Sequence, residues 1–180
     1  MSSFGRDIST LIHHSLADFA IFRASDDGIG YLCPDAKWLL EYALSKGQGT
    51  RLPKRRDLSP ADMTDVLPDV LILEPVIGEG NNLDDITVRL VGSNISSFYG
   101  QVTGQSLRKL SDSAAAKRGF DCVAASIATR EPIVGVSHRL NDKISYFAVT
   151  VLAIPLVNDE GDISQVFVHV DIGPEETLEM

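Results

Sequence analysis

One stretch of this chain carries its apolar residues at clear helical spacing. Within residues 112–129, Phe120, Val123, Ala124 and Ile127 fall at i, i+3, i+4 and i+7, which places them on one face of a helix. Three strand-like stretches follow, over residues 133–140, 145–157 and 163–172. The polar residues Asn141-Asp142-Lys143 separate the first pair and residues 158–162 the second, both short enough for antiparallel hairpins. In the third strand Val166, Val168, Val170 and Ile172 share a face, while Phe167 and His169 take the other, with Ile163 in the same parity. The middle strand is apolar on both faces, with Phe147, Val149 and Val151 against Tyr146, Ala148, Leu152 and Ile154. A sheet apolar on both sides must be covered on both sides. The central helical region supplies one cover. The other is the N-terminal helices, a partner subunit, or both.

Upstream the pattern is more broken. Ile8, Leu11, Ile12 and Phe19 predict an amphipathic helix over residues 8–22, lying on its own domain or forming a dimer seam. A second helix starts near Pro34, with Trp38, Leu39, Tyr42 and Ala43 sharing a face, and ends at Gly47. Residues 52–58 form an extended connector. Ser59 as N-cap, Pro60 in the first position and Asp62 in the first turn predict a short helix stopped by Pro68. Val70-Leu71-Ile72-Leu73 is a strand ended by Pro75, the residues from Gly78 to Asn82 are a turn, and residues 86–92 are the hairpin partner. Ser93 or Asn94 caps a short helix carrying Ile95, Phe98 and Tyr99, which Gly100 ends. Residues 103–107 turn into another short element.

Composition narrows the class. The 180 residues suffice for one domain with a proper core, and 44% apolar with 23% charged is ordinary for a globular protein. The net charge of −9 repels phosphate backbones and argues against nucleic acid as a direct partner, although Lys54-Arg55-Arg56 forms a local basic run. No run approaches the roughly 18 apolar residues of a membrane helix, so no membrane insertion is expected. The first seven residues lack the features of a secretory leader. Cys33 and Cys122 lie far apart in unlike contexts, which argues against a disulfide framework and fits a cytoplasmic location.

Two strands, short helices, a long helix and three antiparallel strands make the order of a PAS sensory domain. The text is similar as well as the topology. Asp69-Val70-Leu71-Ile72-Leu73-Glu74 followed by Val88-Arg89-Leu90-Val91-Gly92-Ser93 resembles the opening of a bacterial branch of standalone PAS domains. Trp38, the run from Leu52 to Pro60 and Leu67-Pro68 are similar to that branch's lead-in. Residues 102–107 resemble the PAS turn after the first short helix, and Ile154-Pro155-Leu156, residues 160–163 and Asp171-Ile172 resemble the PAS ending. The resemblance covers residues 38–172 and implies an α+β fold. That fold is a five-stranded antiparallel sheet with short helices and one long helix on one face. An N-terminal helical extension over residues 1–50 would precede the domain at 51–173, and a short tail at 174–180 would follow. It also implies a non-catalytic regulatory module that binds a small molecule or a partner protein. The output helix and enzymatic domain that usually follow are absent after Asp171-Ile172, and Met1 suggests a natural start. Signalling by homodimerisation, or by docking to a separate kinase or regulator, is therefore expected.

Individual residues sharpen this only in part. A flavin–cysteinyl photoreceptor would need a cysteine near the short helices, where residues 104–108 read Gly-Gln-Ser-Leu-Arg, and such an adduct is disfavoured. Haem ligation is disfavoured because no histidine lies between Asp112 and Thr129. His13 and His14 point about 100° apart on a helix and do not converge on one metal ion. The cavity of such a fold would lie between the long helix, the short helices and the inner sheet face. Arg89, Tyr99, Cys122, Ser126 and His138 are the candidate ligand contacts. Three of them have a plainer structural alternative: a snorkelled surface arginine for Arg89, a small buried residue for Cys122, a hydrogen-bonded core histidine for His138. Ile8, Leu11, Ile12, Phe19, Phe167 and His169 are the candidate partner-docking set, with core packing as the alternative. Two further readings stay open. One is an interaction module whose core is filled by Phe98, Phe120 and Phe147. The other is an isomerase- or dehydratase-like enzyme on a cone-shaped fold, which requires an acid facing a His or Tyr in a pocket.

Overall fold

In the computed structural model, residues 19–47, 52–137 and 147–174 are described. Among these residues six strands form one sheet: β1 (Phe19–Arg23), β2 (Val70–Ile77), β3 (Leu83–Val91), β4 (Ile133–Ser137), β5 (Phe147–Val157) and β6 (Ile163–Pro174). Their spatial order is β1-β4-β5-β6-β2-β3, and every neighbouring pair is antiparallel. Three α-helices accompany them: α1 (Pro34–Lys46), α2 (Ser93–Tyr99) and α3 (Ser113–Thr129).

The sheet is buried on both faces, as its apolar parity requires. On one face Val149, Val151 and Ala153 of β5 and Val166, Val168 and Val170 of β6 pack with Cys122, Val123 and Ala125 of α3. On the other, Leu152, Ile154, Leu156 and Phe167 pack under Ala36, Leu39, Leu40 and Ala43 of α1, joined by Leu58, Met63 and Val66. The second cover is therefore α1 with the connector behind it. The α1 face that is buried is 36, 39, 40 and 43. Trp38 turns outward, 42% exposed, and stacks on Tyr42 at 5.1 Å.

Several expectations change. Residues 19–23 are a strand, not the end of a helix, and residues 1–18 lie outside the described residues. Phe19 and Ile21 alternate inward, and the open edge of β4 supplies their backbone partners from Phe19↔Ser137 to Arg23↔Ile133. This adds a sixth strand to the five expected. Strand β2 does not stop at Pro75 but runs to Ile77 along β3. Its pairing with β6 ends at Leu73, and a proline is tolerated where one flank is unpaired. Ile163 packs on the α3 face rather than with Phe167, because the β5–β6 register shifts between Leu156 and Val157 and moves the strand end to the opposite face.

The segment after Ser59 is a 3₁₀ turn, Pro60–Asp62, with a second at Leu67–Asp69, instead of a regular helix. Ser59 caps nothing with its side chain. Its N–H donates to the Tyr42 hydroxyl at 3.0 Å, which in turn donates to Asp62 Oδ2 at 3.0 Å, tying the turn to α1. The cap residue of α2 is Gly92, where any side chain would run into the Pro68 carbonyl. Asp112 caps α3, its Oδ1 accepting from Ala115 N–H at 3.0 Å.

Candidate functional site

A cavity of about 70 Å³ lies between α3, α2, the turn that follows α2 and the inner sheet face. The sheet contributes aliphatic walls, among them Leu73, Val149 and Val168. The helices contribute Tyr99 from the end of α2 and Ala115, Arg118, Gly119 and Cys122 from α3. Small residues at 115, 119 and 122 keep that part of the helix face shallow, and the space beside Arg118 follows from this.

Arg118 is only 8% exposed, a guanidinium held at the wall of an otherwise apolar space. It lies close enough to the Tyr99 hydroxyl to act on its ionisation. Burial pushes the Tyr99 pKa up; the Arg118 charge opposes this, and the Asp112 carboxylate adds to it. Burial pushes the Cys122 thiol well above its ordinary range, with Asp121 adding to the rise and Arg118 opposing it. Tyr99 and Cys122 are therefore both protonated at neutral pH, a hydroxyl donor and an inert thiol.

Of the five candidate ligand contacts, the structure brings Tyr99 and Cys122 to the cavity. Ser126 is buried on the same helix one turn beyond Cys122, but its hydroxyl donates to Val123 O at 2.9 Å within the helix, and it does not line the space. Arg89 projects to solvent from β3, with its side chain 68% exposed and 3.8 Å from Glu74. Its neighbour Val88 takes the inward position at 1% exposure, and the β2–β3 register shifts at this point, pairing Val88 with Leu73 and Leu90 with Ile72 and leaving Arg89 unpaired between them. His138 lies outside the described residues. Arg118 was not among the candidates. Its signal was present, because Arg118, Cys122 and Ser126 repeat at i, i+4 and i+8, but the helix face was centred on the bulkier Phe120 and Ile127. Both of those are only half-buried, and Phe120 lies under the Arg108 guanidinium at 4.6 Å.

The described members of the partner-docking set lie inside the protein. Phe167 and His169 are 1% and 3% exposed beneath the α1 side of the sheet, and Phe19 is 7% exposed against α3. Ile8, Leu11 and Ile12 lie outside the described residues. His169 is unusual, because neither ring nitrogen has a hydrogen-bond partner among the described residues. Burial lowers its pKa, while Asp69, Asp171 and Asp35 work in the opposite direction.

The basic run is not a free patch. Lys54 Nζ and Arg56 each reach Asp159 at 2.9 Å, and Arg55 donates to Leu58 O at 3.0 Å. Among the described residues no group of three or more His, Cys, Asp or Glu could hold a metal ion, and no helix is long and apolar enough to cross a membrane. Both cysteines are free.

A protein-family model described as a PAS domain matches residues 34–169. No curated protein matches the sequence. Among solved structures, an RNA-binding light-oxygen-voltage receptor aligns at 12% identity with a TM-score of 0.45. The alignment covers 67% of this chain and 34% of the receptor, so this chain spans about a third of that protein's length.

Proposed function

The chain belongs to the PAS domain family, and from that premise we propose that it is a non-catalytic sensory domain whose cavity under α3 takes up a small molecule. Occupancy is passed on by homodimerisation or by docking to a separate output protein. PAS domains in general are sensory and signalling modules, and the coarser half of this reading follows from membership. The observation that carries the finer half is the cavity itself, with a buried guanidinium and a hydroxyl at one end and aliphatic side chains elsewhere. The titratable groups at the wall favour binding over catalysis. Tyr99 and Cys122 are held protonated, so neither serves as a base or as a nucleophile at neutral pH.

An interaction module without a ligand is the second reading. It loses part of its support, because Phe98 is 46% exposed and Phe120 half-buried, so neither fills the core as that reading requires. It gains some from Val76, Ile77 and Leu90, which the β2–β3 hairpin exposes.

Native mass spectrometry of freshly purified protein, beside a denatured sample, separates the two. A mass above that of the bare chain that disappears on denaturation is expected. A bare mass at the dimer would favour the interaction module and direct effort to capture of the output protein.

A further inference from the structure

We propose that a groove on the α1 side of the sheet, over β2 and the end of β3, docks an acidic amphipathic segment of a partner protein. The inference rests on the signalling reading above, for which it specifies the docking surface and the kind of partner. The groove has a volume of about 370 Å³. Val70, Ile72 and Phe167 line it as buried sheet residues, and Leu67, Pro68 and Leu90 add more accessible apolar surface. Its position links it to the cavity. Strand β2 turns Leu71 and Leu73 to the cavity and Val70 and Ile72 to the groove, and β6 divides Val168 and Phe167 in the same way. Helix α2 starts at the groove with Ser93 and ends at the cavity with Tyr99. A partner seated in the groove therefore bears on the same strands as a molecule in the cavity. The groove is also preformed. Gly92 N–H donates to Val70 O at 2.7 Å, and Asn94 Nδ2 donates to Asp69 Oδ1 at 2.9 Å, which ties the Leu67–Asp69 turn to the start of α2. A preorganised surface has little ordering cost of its own on binding.

Charge selects the partner. Among the described residues Arg55 is the only charged side chain lining the groove. Its Nη1 donates to Leu58 O at 3.0 Å, which holds the side chain in place and leaves N–H donors on the other guanidinium nitrogens. Lys54 and Arg56 share Asp159, whereas Arg55 forms no ion pair among the described residues. A basic segment would set its own cation against Arg55. A carboxylate accepts from the planar fork through two bonds at once. The net charge of −9 disfavours an acidic partner at long range, but that repulsion is screened beyond a Debye length of about 8 Å, so the contact in the groove decides. Volume sets the apolar share. The groove is more than twice the size of a cavity of about 150 Å³ that admits benzene, which is room for two apolar side chains. On a helix such a pair stands at i and i+4, with the acidic residue beside it.

The test titrates the full chain, with labelled methyl groups, with three acetylated and amidated helical peptides. They share leucines at i and i+4 and differ only in carrying glutamate, glutamine or lysine around them. The signals read for the groove are the methyls of Ile72, Leu90 and Val91. The glutamate peptide is expected to shift these methyls and to bind at least ~10-fold more tightly than the lysine peptide, with glutamine between them. Arg55→Gln brings the three affinities together. Leu90→Ser weakens all three and leaves the fold intact, since Leu90 is 41% exposed. If Arg55→Gln lowers the thermal midpoint by loosening the connector, the peptide series on the parent chain and Leu90→Ser decide. Equal affinities, or a preference for lysine, overturn the acidic partner. Shifts centred on Val76 and Ile77, or no binding of any peptide, overturn the groove as the docking site. Concentration-dependent shifts of the groove methyls without peptide assign the groove to a second copy of the chain and overturn the proposal as well. The cavity's occupant is read separately by native mass spectrometry, so the small-molecule reading stands or falls on its own.

Discussion

His169 is the residue whose burial has the clearest consequence in solution. It lies under the α1 side of the sheet with neither ring nitrogen partnered among the described residues. Its pKa is lowered from the ordinary 6.5 because the charged form is desolvated, and Asp69, Asp171 and Asp35 only partly restore it. The unfolded chain binds a proton near pH 6.5, whereas the folded chain binds it only at lower pH. Stability is therefore intact above about pH 6.5, falls as pH drops towards the folded-state value, and levels off below it. Urea denaturation at intervals from pH 7.5 to 5 is expected to show this decline, and His169→Gln is expected to flatten it. An equal slope in both proteins would mean that other groups carry the pH dependence. At this scale the sequence was partly legible. Strand parity placed His169 opposite Val168 and Val170, on the correct face. It did not show that Arg118 lines a cavity, because a long charged side chain in a helix is ordinarily solvated, and this one is buried at a wall it shares with Tyr99 and the sheet.

Among the elements, β1, β4 and α3 meet closely at one glycine. Gly135 is the middle residue of β4, and a Cβ there would lie 2.7 Å from Phe19 Cζ and 2.8 Å from Cys122 Sγ. Phe19 and Cys122 belong to β1 and α3, so this glycine sets how closely strand, edge strand and helix approach one another. Gly135→Ala is expected to destabilise the fold by about 1–3 kcal/mol, the range for overpacking a filled core. The loss appears as a lower denaturant midpoint. Cys122→Ala in the same chain should recover part of it by removing the sulfur. A Gly135→Ala midpoint equal to that of the parent would show that β1 is loosely held. The long helix and the three strands after it were legible because their periodicity is local and sustained. Strand β1 was not, since its pairing partner is more than a hundred residues away and Phe19 also continues a helical pattern from Ile8. The break in β5–β6 parity at Leu156 was hidden for a similar reason. A bulge is a property of two strands in register, and neither strand reveals it alone.

For the molecule as a whole, the two-sided burial of the sheet determines which part of the chain can stand by itself. The order of elements was enough to indicate the fold, because few topologies combine a hairpin, short helices, a long helix and three meandering strands. Where the domain begins was harder to see. An extension over residues 1–50 is the natural division when helices precede a compact sheet domain. Yet Leu39 and Ala43 of α1 have 0% exposure, and they cover Leu152, Ile154 and Phe167 at the centre of the sheet. Without α1, three adjoining apolar side chains on β5 and β6 would face water, and an uncovered sheet face of that kind favours association or loss of fixed packing. A chain beginning at residue 52 is therefore expected to aggregate, or to lose its cooperative melt while keeping strand content by circular dichroism. Leu39→Ala in the full chain is the milder form of the same change. It should cost about 2–5 kcal/mol, since a fully buried leucine is cut back without the sheet moving to fill the space. If the shortened chain instead melts cooperatively near the parent's temperature, α1 is dispensable for the fold and its face becomes available for regulation. Release of α1 would then expose Phe167 and His169, which are also the residues a docking partner would need to reach.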